Sequence, residues 1–176
     1  MDEKSMSIVE HLGEFRRVLV ISFISIIVAS FAAYFLLGET LLDIATDPLK
    51  DYDLSLVYIT MPEAFITKVK ISLVAGVVLA SPIVLWQIWS YIVPALHKHE
   101  RRAVLTLFPA SLALFVIGVL FAYFGVLHLI LNFLIHIAGD NLETMFKVDQ
   151  YFSFVMAFII PFGLVFELPV IVFFLT

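Results

Sequence analysis

Four long apolar runs constrain the fold of this 176-residue chain more than any other feature. They cover residues 18–37, 71–93, 103–127 and 151–175, and each contains 20 to 25 residues. A helix needs roughly 20 apolar residues to cross the hydrocarbon core of a bilayer. One charged residue, Glu167, interrupts the four runs. The sequence therefore predicts an all-α fold: a polytopic membrane bundle with four transmembrane helices in a single membrane domain.

Composition excludes several other classes of protein. Hydrophobic residues make up 62% of the chain and charged residues 14%, whereas a soluble domain has about 45–50% and about 25%. Disorder requires the opposite composition, with low hydrophobicity and high charge. The net charge of −5 argues against nucleic acid as a partner, because phosphate binding needs a basic surface. Since the chain has no cysteine, disulfides and thiol chemistry are excluded.

The placement of lysine and arginine predicts the side of the membrane that each loop occupies. Residues 1–17 and 94–102 carry six of these cations in 26 residues, whereas residues 38–70 and 128–150 carry four in 56. Cytoplasmic loops are enriched in Lys and Arg, so we expect a cytoplasmic N-terminus. Because Thr176 follows the fourth run without a basic anchor, we also expect the chain to be truncated at its C-terminus.

Helix start signals and prolines add detail to the four runs. Residues 7–10 and 60–63 both fit the capping box, in which a Ser or Thr and a Glu three residues later satisfy free backbone donors. We expect one short amphipathic helix before the first run, another around Pro48, and a second-span helix that starts inside the 60–63 box. Pro82 removes a helical hydrogen bond and predicts a kink near residues 78–82.

Glu167 is the most costly residue of the sequence. An acidic side chain deep in a span costs about 2.5–3.5 kcal/mol on insertion scales. Pro161 and Pro169 bracket Glu167 in the fourth run, and Gln87 interrupts the second. Two interpretations stay open: Ser, Gln or Tyr side chains hold the carboxyl within the bundle, or the carboxyl meets a partner helix or a cation.

A second concentration of ionisable residues lies at the expected cytoplasmic face. It consists of His11, Glu14, Arg16 and Arg17 on the tail and of His97, Lys98, His99, Glu100, Arg101 and Arg102 in one loop. In one interpretation the cations only anchor the spans at the membrane surface. In another, the face forms a binding site. Zinc binding by His97, His99 and Glu100 needs further ligands that the sequence does not supply, so we expect no metal and no cofactor.

The sequence contains none of the common enzyme signatures. It has no phosphate-binding glycine loop, no nucleophile elbow and no His-Glu-x-x-His pair. Because most of the chain is expected in lipid, little remains from which to build a soluble active site. We therefore expect a protein that is not an enzyme.

Motifs in five segments, taken together, match one known family. Residues 11–17 read His-Leu-Gly-Glu-Phe-Arg-Arg, and residues 94–102 read Pro-Ala-Leu-His-Lys-His-Glu-Arg-Arg. The remaining motifs are Ser81-Pro82-Ile83 with Trp86-Gln87, Phe121-Ala122-Tyr123-Phe124, and Tyr151-Phe152-Ser153-Phe154-Val155 followed by Phe166-Glu167-Leu168-Pro169. The chain resembles TatC, the multispan core component of the twin-arginine protein translocase. That family has six spans, of which this chain supplies four, and Phe15 stands where the family usually has Leu.

The resemblance implies a receptor and scaffold for the export of folded proteins. It places the protein in the cytoplasmic (inner) membrane or, in a plastid, in the thylakoid membrane. It implies that Glu14 and Glu100 bind the paired arginines of a signal peptide, a role that suits the forked hydrogen bonds between guanidinium and carboxylate. The supporting cytoplasmic surface would consist of His11, Leu12, Arg16, Arg17, Lys98, His99, Arg101 and Arg102.

The resemblance also implies partners within the membrane. Glu167 and Gln87 would belong to a polar site that faces single-span TatA- and TatB-type partners, and the protein would associate with itself in the lipid bilayer. Structural roles would fall to Pro48, Pro82, Pro94 and Pro169.

Two other functions stay open. A secondary or proton-coupled transporter would use Glu167 as its coupling carboxylate. A purely structural membrane scaffold would tolerate neutralisation of the cytoplasmic acids. An ion or small-substrate flux that depends on Glu167 would identify the transporter, and preference for twin-arginine over twin-lysine peptides would identify the receptor.

Overall fold

The computed structural model describes residues 8–50, 52, 56–92, 101–138 and 146–175. Its elements, in chain order, are α1 (Ile8–Lys50), β1 (Leu56–Val57), α2 (Glu63–Ile92), α3 (Arg101–Leu120), a π-helical segment (Phe121–Leu127), α4 (His128–Ala138), β2 (Phe146–Lys147), α5 (Val148–Val165) and α6 (Leu168–Leu175). Four stretches of this described part are long and apolar enough to cross a membrane: Leu12–Lys50, Glu63–Ile92, Leu107–Ile137 and Val148–Phe173. The predicted all-α bundle with four transmembrane helices is confirmed.

Successive spans run in alternating directions, so the bundle has two ends. The N-terminal end holds the starts of α1 and α3 and the ends of α2 and α6. The far end holds the end of α1, the two short strands, and the starts of α2 and α5. There β1 and β2 pair in parallel, with Leu56 opposite Phe146 and Val57 opposite Lys147.

α1 is one uninterrupted helix of 43 residues, whereas the sequence predicts separate short helices on both sides of the first span. Gly38 does not end it, because a glycine in a helix interior costs only about 1 kcal/mol. Pro48 leaves the carbonyl of Ile44 without its helical donor. The Tyr123 hydroxyl donates to that carbonyl at 2.5 Å, so the helix continues through its proline to Lys50.

Pro82 lies inside α2 and is accommodated in a similar way. Its ring has no N–H for the carbonyl of Val78, and the Ser81 hydroxyl donates to that carbonyl at 2.7 Å. Neighbouring hydroxyls commonly satisfy the backbone groups that proline frees in membrane helices. The expected kink near residues 78–82 stays a prediction.

The third span extends past residue 127, where the apolar run was expected to end, through the 11 residues of α4. Both histidines in this extension bond to their own helix. Nδ1 of His128 lies 3.2 Å from the carbonyl of Tyr123, and Nδ1 of His136 lies 2.8 Å from the carbonyl of Asn132. Because these polar groups are satisfied locally, they do not end the helix.

The fourth span is broken, although its sequence predicts one helix over residues 151–175. α5 ends at Val165 and α6 begins at Leu168, with a turn between them. In this turn the Glu167 N–H donates to the carbonyl of Leu164 at 3.1 Å, a three-residue spacing that tightens the helix end. Pro169 lies in the first turn of α6, where its missing N–H is tolerated.

Small residues set the distance between neighbouring helices. A Cβ atom built on Gly76 of α2 would lie 2.6 Å from the backbone nitrogen of Ser30 on α1. One built on Gly118 of α3 would lie 2.7 Å from the carbonyl oxygen of Phe162 on α5. Both distances are shorter than real Cβ contacts, so these crossings need glycine. Close approach at small residues is the usual basis of helix association in lipid.

Candidate functional site

Glu14 lies in the first turns of α1, at the N-terminal end of the bundle. Its side chain is half-buried, and Oε2 is buried without a hydrogen-bond partner among the described residues. Arg16 and Arg17 are exposed, and within the described part of the chain neither forms an ion pair with Glu14. Within the described part of the chain, this carboxylate oxygen is therefore removed from water without a donor, which is a costly state for such a group.

Two apolar residues, Leu12 and Phe15, lie beside Glu14 in the first turns of α1. Leu12 is exposed, and the ring of Phe15 lies 5.7 Å from the ring of Tyr91 near the end of α2. The ring pair places the first turns of α1 against the last turn of α2.

The structure does not describe the side chains of several predicted site residues at this end. Pro94, His97, Lys98, His99 and Glu100 lie outside the described residues. For His11, Arg101 and Arg102 the structure describes the helical backbone and not the side chain. Among the described residues no group of three His, Asp or Glu side chains could hold a metal ion.

Glu167 lies in the turn between α5 and α6, and 7% of the residue is exposed. The Ser111 hydroxyl of α3 donates a hydrogen bond to Glu167 Oε2. Oε1 is buried and has no hydrogen-bond partner in the described part of the chain. Gln87 is half-buried on α2, and the described hydrogen bonds include none between it and Glu167.

An apolar cluster lies on the neighbouring helices, towards the N-terminal end from Glu167. Trp89 of α2 and Val170 of α6 form a buried cluster with three partly buried residues of α3, namely Leu107, Phe108 and Leu114. One turn towards the far end, Gly163 of α5 packs against the ring of Phe115. Because Glu167 is buried within a membrane span, each polar contact of its carboxyl carries more energy than it does in water.

The far end of the bundle contains a polar cluster that sequence reasoning did not predict as a unit. Glu63 is 4% exposed. Its Oε2 accepts hydrogen bonds from the backbone N–H groups of Ile59 at 2.9 Å and Thr60 at 3.1 Å, and its Oε1 accepts one from the N–H of Asp149 at 3.3 Å. Lys147 Nζ lies 3.9 Å from the same Oε1. One carboxylate thus joins the loop before α2 to the start of α5.

A second ion pair lies beside this cluster. Lys70 Nζ of α2 lies 2.5 Å from Oδ1 of Asp149 and 3.2 Å from the hydroxyl of Ser153. The capping box at 60–63 correctly marks Glu63 as a helix-start residue. Its contact with Asp149, 86 positions later in the chain, has no local signal in the sequence.

An apolar cavity of about 350 Å³ lies between α1, α2, the end of α3, the π-helical segment and α5. Leu41, Val74, Phe124 and Met156 are among the side chains that line it, and neither Glu14 nor Glu167 does. Tyr123 also lines it, but its hydroxyl donates to the carbonyl of Ile44, so the described lining keeps no free polar group that would orient a ligand.

Comparison with known proteins gives one consistent result. The profile of the family described as Sec-independent protein translocase protein (TatC) matches residues 10–176. A TatC protein of Carboxydothermus hydrogenoformans is 43% identical over all 176 residues and is covered over 72% of its own length. A TatC protein of Aquifex aeolicus is 38% identical over 172 residues, which are 96% of this chain and 71% of that protein. A crystal structure of the twin arginine translocase receptor TatC superimposes with a TM-score of 0.83 at 38% identity, and the match covers 92% of this chain and 72% of that one.

Proposed function

Because the chain belongs to the TatC family of Sec-independent protein translocase proteins, we propose that it binds the twin-arginine signal peptides of folded export substrates. The chain is a multi-pass membrane protein and a translocase component, not an enzyme. In the proposal it lies in the cytoplasmic membrane with its N-terminus in the cytoplasm, so that Glu14 and Glu100 face arriving peptides. It also scaffolds single-span TatA- and TatB-type partners and associates with itself.

One observation supports peptide binding most directly: the buried Oε2 of Glu14 that has no partner among the described residues. A carboxylate oxygen in this state gains much from a charged donor, because hydrogen bonds to charged groups contribute about 1.5–3 kcal/mol. A guanidinium offers two parallel N–H groups to a carboxylate, whereas lysine offers a point charge without the fork. The role of Glu100 rests on the family resemblance alone.

The first prediction concerns peptide affinity. A labelled twin-arginine peptide, titrated into the purified protein in nanodiscs, is expected to bind about tenfold more tightly than its twin-lysine counterpart, because only arginine forms the forked bonds. Glu14→Gln and Glu100→Gln should each weaken twin-arginine binding by about tenfold, and should reduce the preference over lysine. Glu39→Gln is the matched control, since Glu39 is an exposed acid nearer the other end of the same helix.

If the parent protein does not distinguish the two peptides, the receptor function is wrong. If Glu39→Gln weakens binding as much as Glu14→Gln, general electrostatics account for the affinity and Glu14 has no specific role.

The second prediction concerns the partner helices. Glu167 carries one carboxyl oxygen that no described group satisfies, and such an oxygen can accept a donor from a second helix. Glu167→Ala is expected to insert normally and to reduce co-purification of a TatA- or TatB-type partner about fivefold, which matches the loss of one hydrogen bond of about 1 kcal/mol. Leu164→Ala is the control, because Leu164 is a lipid-exposed residue on the neighbouring turn.

Unchanged co-purification with Glu167→Ala would contradict the scaffold role. An ion flux in protein-containing vesicles that disappears in Glu167→Ala would instead favour a proton-coupled transporter.

A further inference from the structure

We propose that Ser111 is a positioning residue for the intramembrane partner site: its hydroxyl fixes the Glu167 carboxyl so that Oε1 is left for a donor on the partner helix. This inference rests on the proposed scaffold function of Glu167. It assigns a role to a residue of α3 that has no charge and belongs to none of the family motifs described above.

The Ser111 hydrogen bond differs from those of three other serines in the described spans, of which Ser72 and Ser81 are buried and Ser30 is half-buried. The hydroxyls of Ser30, Ser72 and Ser81 each donate to a carbonyl of their own helix, at 2.7 Å in every case. Such bonds within a helix are the usual way to satisfy a serine there. The hydroxyl of Ser111, a residue 1% exposed, instead reaches across from α3 to the carboxyl of Glu167.

The backbone of Glu167 is already held by hydrogen bonds, so only the conformation of its side chain needs a further contact. The Glu167 N–H is held by the carbonyl of Leu164, and the Glu167 carbonyl accepts from the N–H groups of Val170 at 3.0 Å and Ile171 at 3.1 Å. The turn between α5 and α6 is therefore hydrogen-bonded on both sides. A glutamate side chain still has several rotatable bonds and loses much conformational freedom when it is ordered. The bond from Ser111 provides that order from a separate helix.

The chemistry of the donor explains why one oxygen stays available. A lysine or arginine at position 111 would form an ion pair with the carboxyl and could occupy both oxygens. A serine hydroxyl donates one hydrogen bond and carries no charge. Oε2 is thereby engaged while Oε1 keeps no partner among the described residues. Oε1 is itself buried within this chain, so the partner's donor must enter beside the small exposed part of Glu167 to reach it. The bond from Ser111 holds the carboxyl in place and leaves Oε1 able to accept that donor.

A short side chain can make this bond only because α3 and α5 approach closely. A Cβ atom on Gly118 would lie 2.7 Å from the carbonyl of Phe162, and one on Gly163 would lie 2.8 Å from the ring of Phe115. These two glycines lie on the facing sides of the same crossing. The crossing thus brings a one-carbon side chain within reach of the carboxyl.

Ser111→Ala and Ser111→Cys test the proposal together. Cysteine nearly preserves the volume of serine and is a weak donor, so it separates the hydrogen bond from packing. Both variants are expected to weaken binding of a labelled TatA-type single-span partner in nanodiscs about fivefold. Both should also shift the infrared carboxyl band that is lost in Glu167→Gln. Ser72→Ala is the matched control, because Ser72 is 3% exposed and bonds only to its own helix in the described structure.

The double variants separate this inference from the function on which it rests. In a Glu167→Gln background, Ser111→Cys should cause no further loss of partner binding, since its effect passes through the carboxyl. If Glu167→Ala itself leaves partner binding unchanged, the proposed scaffold function fails. If Glu167→Ala weakens binding but Ser111→Cys changes neither the affinity nor the carboxyl band, Ser111 has no positioning role. An equal loss of binding in Ser72→Ala would likewise overturn it.

Discussion

Gly76→Ala is expected to destabilise the protein by about 2 kcal/mol, and Gly76→Leu to prevent folded protein from accumulating. The added Cβ would lie 2.6 Å from the backbone nitrogen of Ser30 and 2.7 Å from its Cα. Backbone atoms cannot rotate away, so the whole α1–α2 crossing must open, and overpacking of this kind costs about 3 kcal/mol. Alanine returns about 1 kcal/mol through its higher helix propensity. The α1–α2 contact is the most extensive in the described fold, so its loss should be visible as a lower melting temperature in detergent.

Gly125→Ala is the matched control for this substitution. A Cβ on Gly125 would meet the ring of Phe121 at 3.5 Å, an ordinary van der Waals distance. The control should therefore melt at or slightly above the parent temperature. Equal melting temperatures for Gly76→Ala and the parent would show that the helices separate at little cost and would contradict the close crossing.

Glu63→Ala is expected to lower the melting temperature by several degrees and to expose the loops at the far end to protease. The substitution leaves the N–H groups of Ile59, Thr60 and Asp149 without their acceptor. Hydrogen bonds to a charged group contribute about 1.5–3 kcal/mol each, and without them the loop before α2 is no longer joined to the start of α5. Glu63→Gln keeps an oxygen acceptor but loses the attraction of Lys147. Its melting temperature should therefore lie between those of the parent protein and Glu63→Ala.

The contrast is provided by Glu39→Ala. Glu39 pairs with Lys68 at 3.0 Å, but its side chain is 87% exposed, and exposed ion pairs contribute little. Glu39→Ala should leave melting and proteolysis unchanged. If Glu63→Ala also leaves melting and proteolysis unchanged, the carboxylate does not join the loop before α2 to the start of α5.

The sequence was sufficient for the spans because their cause is local. Each apolar run is long enough to cross the bilayer, and a single charged residue stands out within them. The break at 166–167 was not predictable from Pro161 and Pro169, because proline in a membrane helix is accommodated in several ways. At Pro48 the partner is a tyrosine from another helix, and at Pro82 it is the preceding serine.

In the candidate site, too, local features were predictable from the sequence and contacts between helices were not. Glu167 was identified from its cost in lipid, and a serine within the bundle was among the partners considered for it. That the serine is Ser111, 56 positions away, depends on which faces of α3 and α5 meet. A single sequence does not indicate which face of α3 packs against α5. The link from Glu63 to Asp149 was missed for the same reason, although the helix start at Glu63 was marked by its capping box.

The length of α1 has a mechanical consequence. At 1.5 Å per residue, its 43 residues form a rod of roughly 65 Å, well beyond the roughly 40–45 Å of a bilayer with its headgroups. Ser30, pressed against Gly76, lies near the middle of that rod. The contact therefore divides α1 into two parts of similar length, and the helix can pivot about it. Any rocking of the rod on this point moves the Glu14 end and the Pro48 end in opposite directions by similar amounts, because an unbroken helix transmits the displacement across the whole membrane.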